Sequence, residues 1–340
     1  MKRINTLVLG IITASLTGLP LISAQATITD PNWVLDRVII NQRGGSSPRA
    51  GVIGLKPNGT VDWENKDYVG GPYGHGFSAA VLHNDRLYVS VVEYPHQVRE
   101  YNPNTGADLG ALIHNQNLIN QPADLTFGSD GALYVANQSP TFRVSRFDAN
   151  GAVLGVPFNI GDLADTVNGA VLGDDGILYV NRAMNPPAIV TYQGPAMASP
   201  GTNIGFSGFP HDGSELPKYS GFPRFWQGSL YVNGSDGIYK LSADLSVATK
   251  WTSDDGAYQG TGIYSRQFEF GLDGFVYQAF SNGNVLRYDN ESGAFSSVFS
   301  EGHENLAGLA LQSHVIPEPA TALLIGVGML MLSAMRRRMR

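Results

Sequence analysis

From residue 79 onward the chain alternates short apolar runs with polar, glycine-rich turns, and the runs follow one template. A clear copy reads Gln121-Pro-Ala-Asp-Leu-Thr-Phe-Gly-Ser-Asp130-Gly131-Ala-Leu-Tyr134-Val-Ala-Asn137, followed by Phe142-Arg-Val-Ser-Arg-Phe147. The pattern predicts an apolar strand, an Asp-Gly turn, a Leu-Tyr-Val strand, and a third strand closed by another polar turn. The Asp-Gly pair is expected to supply the positive φ angles of a two-residue hairpin. Related copies lie at Ala79–Val89, Gly169–Val180, Phe225–Val232 and Phe268–Tyr277. Their strand tyrosines are residues 88, 134, 179, 231 and 277, at intervals of 46, 45, 52 and 46. A period of that size, with several strands per copy and no helical stripe, predicts the blades of a β-propeller. Several strands are apolar on both faces, as a blade sandwiched between neighbours requires.

The count closes at both ends of the body. Leu306–Leu311 reads as the first strand of a sixth unit, and no further copy follows it. Arg37–Ile40, Gly51–Leu55 and Val61–Trp63, the last after the Asn58-Gly59 turn, supply its remaining strands. A ring sealed by strands from the two ends of the chain has no exposed edge. The expectation is therefore an all-β, six-bladed propeller over residues 36–313. Seven blades would follow if the Gly-, Ser- and Pro-rich insertion at 195–217 hides strands.

The Asp124–Asn137 run resembles those of NHL and gluconolactonase-type six-bladed propellers. The residues that carry the resemblance build blades and perform no chemistry, so it implies a fold before it implies an activity. Gluconolactonase-like enzymes hold a divalent metal in the central channel with Glu, Asn and Asp side chains. By that resemblance Asp124, Asn168 and Glu304, at or near the starts of innermost strands, are candidate channel ligands. Capping a strand or binding channel water is the plainer role for all three.

Both termini read as addresses. Lys2 and Arg3, the apolar run Leu7–Leu19 and the small residues of Ala24-Gln25-Ala26 form a secretory leader over 1–26. Cleavage is predicted after Ala26, with Ala24 as the alternative, and 27–35 is expected to be a linker. At the other end Pro317-Glu318-Pro319 precedes an uncharged run from Ala320 to Met335, and Arg336, Arg337, Arg338 and Arg340 follow it. This order over 315–340 resembles the PEP-CTERM sorting signal. The resemblance implies processing by an exosortase after signal peptidase has acted. The 320–335 run would span roughly 24 Å as a helix, with the arginines snorkelling into the cytoplasmic headgroups. Transient inner-membrane anchoring, then release to the cell surface or the extracellular space, is the expected route.

Charge narrows the partners. Two of the 22 basic residues lie in the leader and four in the tail, and of the 29 acidic residues only Glu318 leaves with them. The body between keeps 16 basic and 28 acidic residues, a formal charge of −12, which disfavours nucleic acid and anionic lipid. There is no cysteine, so the exported core must hold without disulfides. A monomer is expected.

Chemistry is sparse. Glu93-Tyr-Pro-His96 has the spacing of a helical metal pair, but Pro95 argues for a loop. The Asp-Gly pairs lack the alternating oxygen ligands of a calcium loop, and no Gly-x-Ser-x-Gly is present. Asn137, Asn181 and Asn233 follow the Tyr-Val strands and either line a ligand face or terminate their strands. The aromatic insertion from about Gly194 to Phe225, with Trp226 just beyond, is the candidate specificity element. Phe206, Phe209, His211, Phe222 and Trp226 could stack on sugar rings, or the segment could pack as a lid. No cofactor is predicted. The expected function is a non-catalytic module binding an envelope protein or matrix polysaccharide. The alternative is a metal-dependent lactonase or lyase working at the channel.

Overall fold

The computed structural model describes residues 32–43, 49–69, 76–138, 143–155, 158–159, 167–182, 188–208, 221–234, 236–253 and 264–315. The leader with Ala24 and Ala26, and the tail with Pro317, Glu318, Pro319 and Arg336–Arg338, lie outside the described residues. Strands β1 (Trp33–Gln42), β2 (Arg49–Leu55) and β3 (Val61–Val69) open the fold. Then come β4 (Phe77–His83), β5 (Arg86–Val91), β6 (Gln97–Tyr101) and β7 (Asp108–Ile113). The third group is β8 (Pro122–Phe127), β9 (Leu133–Asn137), β10 (Arg143–Phe147) and β11 (Phe158–Asn159). The fourth is β12 (Val167–Leu172), β13 (Ile177–Arg182), β14 (Ala188–Gln193) and β15 (Asn203–Gly208). The fifth is β16 (Gly221–Trp226), β17 (Ser229–Asn233), β18 (Ile238–Leu241) and β19 (Ala248–Lys250). The last is β20 (Ser265–Phe270), β21 (Phe275–Phe280), β22 (Val285–Asp289) and β23 (Phe295–Ser300), before β24 (Leu306–Val315).

Among the described residues these strands form six four-stranded antiparallel sheets and no helix. Five sheets are consecutive meanders, and the sixth runs β24-β1-β2-β3, so one blade is assembled from both ends of the body. Innermost strands follow one another around the ring as β24, β4, β8, β12, β16 and β20, with β20 packing back on β24. The insertion at 195–217 does contribute a strand. It is β15, the outer edge of the fourth sheet, so the count stays at six. The first strand begins at Trp33, within the stretch expected as a linker, and β24 continues to Val315.

The core lies between the blades. Six apolar clusters each join two neighbouring sheets. In one, Tyr277, Val285 and Phe299 meet Val38, Ile40 and Leu309 across the closing junction. A strand buried on both faces needs apolar residues at every position, which explains the continuous apolar runs.

The Asp-Gly turns work differently from the two-residue hairpins expected of them. Only the glycines, Gly131, Gly176 and Gly274, take positive φ, and each turn holds three residues. Gly128 N and Gly173 N donate to Ala132 O and Ile177 O, while Gly131 N and Gly176 N donate back to Gly128 O and Gly173 O. That is a type I turn followed by a left-handed residue. The aspartate stabilises it twice. Its Oδ1 accepts from the backbone N–H two residues on, at 3.1, 3.0 and 3.3 Å for Asp130, Asp175 and Asp273. Its Oδ2 accepts the strand tyrosine's hydroxyl, at 2.9, 2.7 and 2.6 Å from Tyr134, Tyr179 and Tyr277. The leading glycine makes the room, since a Cβ on Gly173 or Gly271 would sit 2.5 or 2.4 Å from the aspartate oxygen. The repeated Gly-x-Asp-Gly-x-x-Tyr is thus one hydrogen-bonded unit. Burial and the neighbouring aspartate hold all three tyrosine hydroxyls well above their usual pKa. True two-residue hairpins occur instead at Asn84-Asp85 and Gln227-Gly228, where both residues have positive φ.

Tyr277→Phe strands a mostly buried Asp273 carboxylate and should cost about 1–3 kcal/mol of unfolding free energy. Urea denaturation measures it, and a loss below about 0.3 kcal/mol would show that the aspartate–tyrosine bond is unimportant.

Candidate functional site at the propeller channel

Innermost strands do not enter the channel as regular pleats. The pairing of each with its second strand shifts register near its start: Phe77/Ala80, Pro122/Asp124, Val167/Gly169, Gly221/Arg224 and Ser265/Phe268. The closing sheet does the same between Asn41 and Gln42. Bulges re-aim side chains, and the polar groups of the channel cluster around these positions.

Arg224 holds the centre. Its Nη1 and Nη2 donate to the two oxygens of Asp124, at 3.2 Å each, and its Nε donates to Glu269 Oε1 at 2.8 Å. The same Glu269 oxygen accepts from Gln267 Nε2 at 3.1 Å. Gln267 in turn ties two other inner strands, accepting from Ala80 N and Leu309 N and donating to Ala80 O. Five inner strands, β4, β8, β16, β20 and β24, are thereby stitched across the axis. The packing is close: a Cβ on Gly169 would lie 2.4 Å from Pro223 and 2.9 Å from Asp124 Oδ2. Burial pushes the Asp124 carboxyl up to about 6, against the opposing pull of Arg224. Burial works against the Arg224 charge, but the two carboxylates outweigh it and raise its pKa.

Toward the ends of the inner strands the channel opens into a cavity of about 450 Å³. Trp33, Leu82, Trp226, Phe270 and Leu311 line it, with Glu269 as its charged member. Trp226 and Phe270 stack in parallel, centroids 4.9 Å apart and planes 3° apart. The Glu269 side chain keeps 25 % exposure there. The mouth is therefore an apolar, aromatic cup with one carboxylate at its base.

The candidates from the sequence distribute as follows. Asp124 faces the channel, but both its oxygens accept from Arg224. Asn168 Oδ1 accepts from Gln138 Nε2 at 2.9 Å, and Glu304 is exposed on the turn before β24. Among the described residues no three His, Asp or Glu side chains are grouped to hold an ion. Phe206 lies in β15, and Phe209 and His211 lie outside the described residues. Phe222 is no loop residue: it sits in β16 with φ of 44° and packs on the cluster of Tyr88, Ile119 and Leu125. Of that aromatic set, Trp226 lines the cup. Asn137 terminates its strand, accepting from Asn120 N and donating to Val135 O and Arg143 O. Glu93–His96 lies in the connection between β5 and β6, where His96 Nδ1 is 2.6 Å from Val92 O.

Arg224, Gln267, Glu269, Trp33 and Phe270 escaped the sequence reading. The available signal was a departure from template. Arg224 and Glu269 put charges opposite the strand tyrosine, where the other meander blades carry Val81, Thr126 and Val171.

Comparison with known proteins ends at architecture. No protein-family model and no curated protein matches the chain. A Bacteroides caccae protein of unknown function superposes with a TM-score of 0.56 at 11 % identity, covering 81 % of this chain and 98 % of that one. The periplasmic gluconolactonase of Pseudomonas aeruginosa does so with a TM-score of 0.50 at 13 % identity, covering 84 % and 100 %. What they share with this chain is the propeller fold.

The raised Asp124 pKa fixes a sign. Taken alone, this carboxyl favours the folded state most below pH 4, and the contribution is lost as pH rises through 6. Stability of the native chain relative to Asp124→Asn should fall by about 2 kcal/mol between pH 4 and 7. A pH-independent difference in denaturant unfolding would refute it. Arg224→Met, which leaves two carboxylates facing each other, should cost about 3–5 kcal/mol at pH 7 and less at pH 5.

Proposed function

We propose that this protein is an exported, exosortase-processed propeller that binds a partner of the cell envelope or extracellular polysaccharide matrix without transforming it. The aromatic cup at the strand-end mouth is its ligand site. The observation that carries this reading is the joining of Trp33, Trp226 and Phe270 with a single partly exposed carboxylate in a cavity of about 450 Å³. Aromatic walls with one polar anchor suit the apolar face and hydroxyls of a sugar ring. A metal-assisted lactonase is disfavoured because the central carboxylate, Asp124, spends both oxygens on Arg224. Export rests on the leader and on the Pro317-Glu318-Pro319 tail.

Trp226→Ala should weaken binding of matrix polysaccharide fragments at least tenfold in calorimetry, with the β-sheet circular dichroism unchanged. Equal affinities would remove the cup from the function. Changing Pro317, Glu318 and Pro319 to alanine should leave the chain unprocessed in the inner-membrane fraction of an exosortase-bearing host. Normal processing on an immunoblot would count against the sorting assignment.

A further inference from the structure

At the opposite mouth, the starts of the inner strands bring two arginines together. Arg43 leaves β1 there, its backbone N–H donating to Asn305 O at 2.9 Å and its Nε to Phe77 O at 3.1 Å. Those two bonds pin it between the starts of β24 and β4. Arg266, second residue of β20, is one of the bulged residues, and its guanidinium lies 5.9 Å from the Tyr264 ring centroid. Its Nε is buried with no hydrogen-bond partner. Both arginines are partly exposed.

These cations repel each other. Burial first, and then the Arg43 charge, lower the Arg266 pKa to about 10. Burial likewise lowers Arg43, which Glu93 offsets in part. Among the described residues no carboxylate plays that part for Arg266. A second unsatisfied group occupies the same corner. Asn41, two residues before Arg43, is fully buried, and neither of its amide atoms has a partner. It is pressed against Gly308, where a Cβ would come within 2.6 Å of its Nδ2 and 2.8 Å of Ala80 N. Two like charges held half-buried beside an unsatisfied amide destabilise the empty protein. An anion between them removes the repulsion and uses the fork geometry of guanidinium, which carboxylate and phosphate match.

We infer that the strand-start mouth is an oxyanion-binding site formed by Arg43 and Arg266, separate from the aromatic cup. Its ligand is a small oxyanion, either the carboxylate of an acidic sugar or free inorganic phosphate. The body is acidic overall, so this corner is a local exception that selects its anion by contact rather than by long-range attraction. The inference does not depend on the cup binding sugar, because the two mouths are mutated independently.

The test uses the chain lacking leader and tail, titrated with galacturonate, galactose and inorganic phosphate by calorimetry and thermal unfolding. At least one of galacturonate and phosphate should bind and raise Tm by a few degrees, whereas neutral galactose should give no shift that depends on Arg266. Galacturonate alone identifies an acidic sugar as the natural class, and phosphate alone identifies the free anion. Arg266→Met should abolish the anion-dependent shift while leaving the ligand-free protein as stable as the native chain or more so. Arg266→Lys, which keeps charge but loses the fork, should weaken binding about tenfold. Absence of any shift with both anions, or a shift that survives Arg266→Met, would overturn the site.

Discussion

Pairing between β1 and β24 is the constraint on which the rest of the molecule depends. Nine residue pairs, from Trp33↔Val315 to Gln42↔Leu306, join the two ends of the body in one antiparallel ladder. Without them the first blade would lose its innermost strand, and the sheets on either side of the gap would each expose an apolar face. The entropic cost of bringing distant segments together grows only logarithmically with the intervening length. The buried cluster at this junction, with Ile40, Tyr277 and Leu309, more than offsets it.

Closure forces six innermost strands around a narrow axis, and that crowding sets the chemistry. Where the strands come nearest, glycine is required at Gly169 and Gly308 because neighbouring backbone already fills the Cβ position. The space left is filled by polar rather than apolar groups, with Arg224 and Gln267 binding strands that are not neighbours. A charged plug of this kind is a poor source of net stability, since desolvation opposes the Coulomb gain. It separates two mouths of different character, one aromatic with the Glu269 carboxylate and one with the Arg43 and Arg266 guanidiniums.

Legibility in the sequence followed locality. The Gly-x-Asp-Gly-x-x-Tyr unit is complete within seven residues, so each copy announced a hairpin, although the two hydrogen bonds the aspartate accepts from backbone and tyrosine were invisible without side-chain geometry. The edge strand β15 was hidden, because Asn203–Gly208 sits among glycines, serines and prolines that read as loop. The aromatic insertion misled for the same reason. Phe222 looked like a loop residue available to ligand, yet it sits in a strand with positive φ beside a bulge and packs against the core.

By itself the sequence determined the all-β class, the blade period, the six-fold count and the sealing of the ring from both termini. All of these arise from alternation and turns within a few residues of one another. Only the tertiary structure decided which polar residues share the channel. Asp124 and Arg224 are 100 positions apart, and Ala80 and Gln267 are 187 apart. Such pairs meet through closure, and bulges at the strand starts break the period-two rule that would otherwise have said which way each side chain points.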